Sequence, residues 1–497
     1  MLFTAMSHRN NTRRTSAVSA LHLRPHDPDA SVDTKLERAR KFALRGEDDA
    51  AKDAYVDVLR YDPTNVFALN ELGALAYASG HRSAAQTTYA QAVQFHPGSP
   101  IAHINLANLL FEDADVCGAR LHYQAALDID PDFPEAHQGL ARVLVDLGDE
   151  EAAAPHWQKG FAGHAIVAKR YRGHGLGVKV LLLVATHGGN VPTRHWLDDR
   201  FFAVTAIYPE FYPLAQPLPP HAFVVNAIGD ADLCGVALER AEELLERSSA
   251  PVVNPPALVR KTSRNDNALR LASIAGVIAP AISTRPRATI VSDDTLDFPL
   301  LLRTPGYHTG RHFTYVADRD ALIGAATALP GDELLVIQYL DARGPDGLAR
   351  KYRVMIIDGV LYPLHLAIAP DWKVHYFTAA MAVNASNRDE EHRFLDDMQA
   401  VLGERAMTAL RGIGGALGLD YAGADFALAP DGSVMLFEAN STMVINPVDP
   451  DQIWNYRRPA IAAALEAAKC MLFRRAKIRV TPASRLCTAQ RTGESRS

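Results

Sequence analysis

Cysteine is scarce in this chain: four residues in 497 (Cys117, Cys234, Cys470 and Cys487), widely separated and without a CxxC pair. That spacing excludes a zinc ribbon or a dense disulfide frame, and it is expected of reduced thiols in a cytoplasmic protein. No apolar run approaches the roughly 20 residues a membrane helix needs, so no membrane partner is expected. A strong excess of one charge is also missing, with 51 Lys and Arg against 57 Asp and Glu. Without a basic balance, nucleic acid is not an expected partner. Two glycine-rich phosphate loops are absent as well. No GxGxxG follows the strand-like run Val178 to Ala185, and GxxxxGK before Ser or Thr occurs nowhere.

Acidic residues are lacking at the N-terminal end. None precedes Asp27, while Arg9, Arg13, Arg14 and Arg24 make residues 1–31 basic. The composition is that of a transit peptide, and a disordered tail is the plainer reading. Residues 474–497 also read as a basic disordered tail. The chain is too long for one ordinary core, so two to four domains are expected.

What is present begins with an internal repeat. Pro63, Pro97 and Pro131 recur every 34 residues, in phase with Tyr55, Tyr89, Tyr123 and Trp157 and with Ala51, Ala85, Ala119 and Ala153. Leu72, Leu106 and Leu140, and the small residues Ala39, Gly73, Ala107 and Ala141, keep the same step. Two helical apolar patterns fill each copy, with a break near Gly46, Gly80, Asp113 or Gly148. Small residues allow paired helices to approach closely, and each proline ends a second helix. These columns resemble the tetratricopeptide repeat. The resemblance implies an α-solenoid of four copies over residues 32–167 (32–65, 66–99, 100–133 and 134–167), with a peptide or protein partner on its surface.

After the basic linker of residues 168–177, strand-like runs alternate with helical patterns. Residues 178–262 therefore read as an α/β layer with a parallel sheet. Beyond them polar features become dense. The segment Phe298 to Val316 reads as strand, loop, strand, and Gly306 and Gly310 would let backbone amides approach an anion beside Arg303, His308 and Arg311. A buried strand ends in Gln338, Tyr339 and Leu340. A hairpin follows, turning at Asp358-Gly359. Arg353 lies inward on its first strand, where a guanidinium requires a carboxylate or phosphate. Lys373 and His375 share a face further on.

The stretch Ser433 to Ile445 carries an anomaly, because Glu438 and Asn440 follow a continuous apolar run. A carboxylate ending a buried strand is costly without compensation. If Asp431 and Gly432 form a two-residue hairpin turn, Asp425 falls opposite Glu438 on the same face. Two facing carboxylates repel unless a cation lies between them or a proton is shared. Hard oxygen ligands with an amide suit Mg²⁺, so Asp425, Glu438 and Asn440 are candidate metal ligands.

From about Val178 to Phe473 the chain resembles the ATP-grasp superfamily, nearest the branch of glutathione synthetase and the ribosomal-protein glutamate ligases. The resemblance rests on Asp425, Glu438 and Asn440, the lead-in Gly418 to Phe426, the loop Phe298 to Gly310, the hinge Val336 to Leu340, and Arg353 within Lys351 to Gly359. It implies a Rossmann-like pre-ATP-grasp domain over 178–262 and an α+β ATP-grasp domain over 263–473 that clamps ATP. Asp425, Glu438 and Asn440 would hold Mg²⁺, the backbone of Gln338, Tyr339 and Leu340 would meet adenine, and Arg264 and Arg303 would stand where the family has phosphate-binding lysines. Arg353 would touch the γ-phosphate and the developing acyl phosphate; His365, Lys373 and His375 are assigned by position alone. The implied activity is a carboxylate–amine ligase, with small-molecule or peptide acid and amine substrates. The alternative is an ATP-binding scaffold that acts through its repeats.

Overall fold

The structure, a computed structural model, describes residues 31–306, 312–374, 379, 381–449 and 451–477. His308, Gly310, Arg311, His375 and most of both basic tails lie outside the described residues.

Eight helices come first: α1 (Val32–Arg45), α2 (Asp48–Tyr61), α3 (Val66–Ala78), α4 (Arg82–Phe95), α5 (Pro100–Glu112), α6 (Val116–Ile129), α7 (Pro134–Asp146) and α8 (Glu150–Phe161). They form four antiparallel hairpins, a tetratricopeptide-like helical repeat array. The prolines punctuate it as their backbone chemistry requires. Pro63 and Pro97 follow the ends of α2 and α4, and two residues later Asn65 and Ser99 cap the next helix, accepting from Ala68 N and Ala102 N. The repeating small residues lie at the helix contacts. Ala39, Ala51, Ala85, Ala107, Ala119, Ala141 and Ala153 are fully buried, and a Cβ on Gly139 would stand 2.1 Å from the Tyr123 ring.

The third and fourth hairpins share a polar device 34 residues apart. His103 and His137 place Nε2 3.0 and 2.9 Å from the carbonyls of Pro97 and Pro131. A carbonyl only accepts, so Nε2 carries the proton, and Nδ1 accepts from His122 at 3.0 Å and His156 at 2.7 Å.

The fourth copy does not end in proline. It runs into β1 (Ile166–Ala168), which joins β2 (Val178–Leu183), β3 (Phe202–Ile207), β4 (Phe223–Asn226) and β5 (Val252–Val253) in the order β1-β3-β2-β4-β5. Ile166 and Val167, read as the end of the fourth copy, and Ala168, read as the first linker residue, therefore form an antiparallel edge strand on an otherwise parallel sheet. Helix α9 (Gly235–Leu245) packs its buried Leu238, Ala241 and Leu244 into the same core.

Two further sheets follow. After α10 (Pro256–Val259) and α11 (Arg264–Leu271) come β6 (Val277–Ile278), β7 (Ile282–Pro286), α12 (Arg287–Ser292), β8 (Leu300–Arg303), β9 (Phe313–Val316), α13 (Arg319–Ala328) and β10 (Glu333–Gln338). Strands β7, β10, β8 and β9 make a four-stranded antiparallel sheet backed by the core of Ile290, Leu302, Leu322 and Leu334. Then β11 (Ala349–Ile357), β12 (Val360–Ala369), α14 (Ala385–Asp396), α15 (Met398–Leu417), β13 (Tyr421–Leu428), β14 (Val434–Asn440) and α16 (Arg458–Arg475) complete the chain. The last sheet has the order β12-β11-β13-β14-β6. Its two faces enter different cores, as period-two alternation dictates. Tyr352, Val354 and Ile356 pack with α15, whereas Met355 and Ile357 pack with α16 and the first sheet. Arg474 and Arg475, read as the start of the basic tail, close α16 and pair with Asp358.

Asn254 clips the first sheet to the last. Its side chain donates to Tyr421 O at 2.7 Å and accepts from Tyr421 N at 2.9 Å, completing a strand edge with an amide. Cys117 and Cys234 are free thiols. Among the described residues no helix is long and apolar enough to cross a membrane.

The histidine pairs give the array a pH dependence. Burial first, and then the partner imidazole, lowers His122 and His156. The unfolded chain therefore binds more protons as pH falls through about 6.5, so stability is full above that value and is lost below it. Urea unfolding of the helices, followed by far-UV circular dichroism from pH 8 to 5, should show this fall, and His122→Gln with His156→Gln should flatten it.

Candidate functional site

The central strands carry the site. Arg353 on β11 lies opposite Asp425 on β13, and Asp425 lies opposite Glu438 on β14. The route to that pairing differs from the expected two-residue turn. Ala429 pairs with Ser433 around a three-residue loop, Pro430 to Gly432, with Gly432 at φ +79°. The pairing then slips by one residue between Asp425 and Phe426, because a β-bulge at Phe437 takes up the extra position. The two departures cancel, and Asp425 still meets Glu438. The bulge also brings both Phe437 and Glu438 to the wall of one cavity.

That cavity, about 390 Å³, lies between the four-stranded sheet and the last sheet. Of the residues singled out from the sequence, it gathers Arg264, Arg303, Gln338, Tyr339, Leu340, Arg353, Lys373, Asp425 and Glu438. Asn440 borders a small adjoining pocket with Arg264 and Glu438. Gly306 does not line the main cavity, and Gly310 lies outside the described residues.

Its two ends differ chemically. At one end Tyr315 meets Trp372 and Tyr339, with ring centroids 5.8 and 5.1 Å apart, and Phe313, 5.2 Å from Trp372, leads from there to Arg303. Strand pairing of β10 stops at Gln338, so the main chain of Tyr339 and Leu340 runs out of the sheet along this wall. Gln338 is committed elsewhere, because its N–H donates to Ala281 O at 2.8 Å and its Oε1 accepts from Ala281 N at 3.1 Å. All three hinge residues line the cavity, and Tyr339 and Leu340 lie beyond the end of the strand pairing.

The other end is charged. Asp425 accepts Arg353 Nε and Nη2 at 2.5 and 2.7 Å, with Lys351 Nζ at 3.2 Å. Against the opposing effect of burial, these cations hold its carboxyl well below the usual carboxylate range. Glu438 accepts Arg264 Nη2 at 2.8 Å and Asn440 Nδ2 at 2.9 Å. Helix α11 brings Arg264 here because Ser263 caps it and Asn267 Nδ2 donates to Ala439 O on β14. Arg303 is buried under the Phe313 ring, and desolvation together with the nearby Arg264 pushes it down to about 10. Two guanidinium groups forced together in this way favour an anion between them.

The donor set fits a hard cation at the two carboxylates. Asn440 does not point its oxygen at them, since Oδ1 accepts from Thr442 N at 3.0 Å and Thr442 Oγ1 at 2.7 Å. Among the described residues no cluster of three or more His, Cys, Asp or Glu could hold a metal ion. A divalent ion here would take Asp425, Glu438 and oxygens of the ligand, the usual habit of Mg²⁺.

Sequence reasoning passed over Trp372 and Phe437, and it noted Lys351 only as one of the cations at the start of β11. Lys351 was legible, lying two residues before Arg353 on one strand and hence on the same face. Arg350, on the opposite face, pairs with Asp346 and Glu390 away from the cavity.

No family model matches this chain. No curated protein matches it either. Among solved structures, it is similar to a MamA protein at 24% identity over 26% of this chain and 71% of that one, with TM-score 0.25. MamA from Desulfovibrio magneticus RS-1 (residue 41 to the end) gives 22%, 26%, 74% and 0.24 in the same order. The first TPR of Spaghetti (RPAP3) bound to the HSP90 peptide SRMEEVD gives 20%, 24%, 93% and 0.23.

Removing Arg353 while keeping Asp425 should be costly. Arg353→Met is expected to destabilise the chain by about 3–5 kcal/mol in urea unfolding, because a buried carboxylate keeps only Lys351. Adding Asp425→Leu should recover much of that loss.

Proposed function

We propose that the cavity binds ATP with Mg²⁺ and that the chain is a carboxylate–amine ligase of the ATP-grasp kind, whose repeats engage a peptide or protein. One observation carries this reading: an aromatic end with a free strand terminus and a cationic end with two facing carboxylates share a single cavity. A nucleotide has the same division, an aromatic base and a polyanionic tail.

In this reading the main chain of Tyr339 and Leu340 reads the base edge, and Trp372 and Phe313 wall the ring plane. Arg264 and Arg303 bind phosphate oxygens, with arginine supplying a planar two-toothed donor in place of a lysine point charge. Asp425 and Glu438 would hold Mg²⁺, which when bound neutralises phosphate charge and orients the terminal phosphate. Arg353, released in part from Asp425, would meet the transferred phosphoryl group and the acid that attacks it. Lys373, on the cavity wall, adds a further cation. The carboxylate of the acid would attack the γ-phosphorus and ADP would leave; an amine would then displace phosphate from the acyl phosphate, losing a proton to give an amide. The repeats' partner would be a peptide or protein docked on the array.

The scaffold reading, nucleotide binding without turnover, is favoured by a separate observation. Both carboxylates already have guanidinium partners, and Asn440 is turned toward Thr442. Turnover decides between the two. In an ADP-release assay with a panel of acids and amines, Glu438→Ala should lower the rate by about 10²-fold or more if the ligase reading holds. Binding of a fluorescent ATP analogue with no ADP release across the panel would instead leave the scaffold.

A further inference from the structure

A second chamber of about 590 Å³ opens on the other side of Arg353 and shares Lys351, Arg353, Val444 and Asn446 with the first. Its far wall is not made by the sheets. It is the turn between α3 and α4, Tyr77 to Gly80 with Arg82, together with Arg194 from the loop after β2. The second repeat departs from its own pattern at these positions. One repeat away, Tyr77 corresponds to Ala43, Phe111 and Val145, whereas Arg82 corresponds to Asp48, Val116 and Glu150. Only this copy presents an aromatic ring and a cation, and its turn is the one that faces the chamber.

The charges there are unequal. Arg82, Arg194, Lys351, Arg353 and Arg457 line the chamber, against the single carboxylate of Asp449. Three of the cations are engaged in the fold: Lys351 and Arg353 with Asp425, and Arg457 with the buried Glu391 at 3.3 Å. Arg82 is shared with Glu112 at 2.9 Å and Asp113 at 2.5 Å on the rim. Arg194 differs from these. Its guanidinium lies over the Tyr77 ring at 5.4 Å and its Nε donates to His195 Nε2 at 3.0 Å, with no carboxylate in ion-pair distance among the described residues. Stacking on Tyr77 holds the arginine at the chamber wall, where it adds a positive charge beside Arg82.

We propose that this chamber is the acid-substrate site, and that it takes a ligand with at least two carboxylates: one at Arg353 for reaction, the other on Arg194 with Arg82 against the second repeat. The repeat array is then part of the specificity pocket in addition to any docking role. The assignment of the reacting end rests on the ligase reading; the binding of a dianion by Arg194 does not.

The test uses the full chain and titration calorimetry with glutarate and with the tripeptide Glu-Glu-Glu, against Gln-Gln-Gln amide as a neutral match. The carboxylate probes should bind and the amide should not. Arg194→Ala should weaken binding about tenfold or more, with Arg194→Lys recovering part of it, whereas Arg240→Ala on a remote surface should change nothing. Affinity for a fluorescent ATP analogue should be unchanged in Arg194→Ala, which also reports a folded chain. The proposal is overturned if neither carboxylate probe binds, if the neutral peptide binds equally, or if Arg194→Ala binds as wild type does. Failure of the ATP analogue to bind wild-type protein would sink the nucleotide reading and leave the calorimetric result standing on its own.

Discussion

The ion pair between Arg353 and Asp425 is the constraint around which the rest of the cleft is arranged. Both residues are on interior strands of a sheet buried on two faces, where an isolated charge is not tolerated. Each therefore compels the other, and together they fix β11 against β13 at one register. A one-residue slip would send Arg353 into the apolar core beside α15 and take Tyr352 out of it. Because Arg353 borders both chambers, the same pair sets where the two ligand spaces meet. The local stiffness of the sheet thus becomes the positional accuracy of the cleft.

How legible this was depends on the physical range of each signal. The helical array could be read directly, because the 34-residue units repeat the same aromatic and small residues and the first three end at a proline. The hairpin at Asp358 and Gly359 was equally plain, since both residues need positive φ and both have it. The facing carboxylates were anticipated for a partly mistaken reason. Counting outward from an assumed turn gave the correct partner only because a longer loop and a bulge at Phe437 offset one another. Bulges leave little trace in composition, so register counts across them are fragile.

Contacts between distant segments were the least visible. Nothing near Trp157 or Phe161 in sequence announces that they will stack on His187 and Phe211, with centroids at 4.4 and 5.4 Å. Nor does the basic run around Arg172 reveal that this residue will bridge Asp199 at 2.9 Å and Asp48 at 3.3 Å. Yet these contacts seat the array on the first sheet, and the seating brings the α3–α4 turn to the cleft. Dividing residues 166–168 between the fourth repeat and a linker concealed this, because an edge strand at Ile166–Ala168 fixes the orientation of the array.

The charge pattern of the main cavity bears on how a ligand would be accepted. Arg264, Arg303, Lys351, Arg353 and Lys373 face two carboxylates, Asp425 and Glu438, an excess of three cations. With no ligand bound, the carboxylates act as internal counter-ions, each held by its own arginine. An arriving polyanion would compete for those arginines and expose the carboxylates, which would then require a cation of their own. In the proposed reading, anion and divalent cation would be coupled through Arg353 and Arg264, because either alone would leave buried charge uncompensated. This coupling follows from the ion pairs, whichever reaction the cleft performs. Under the proposed reading, a phosphate-bearing ligand and a divalent cation would bind cooperatively.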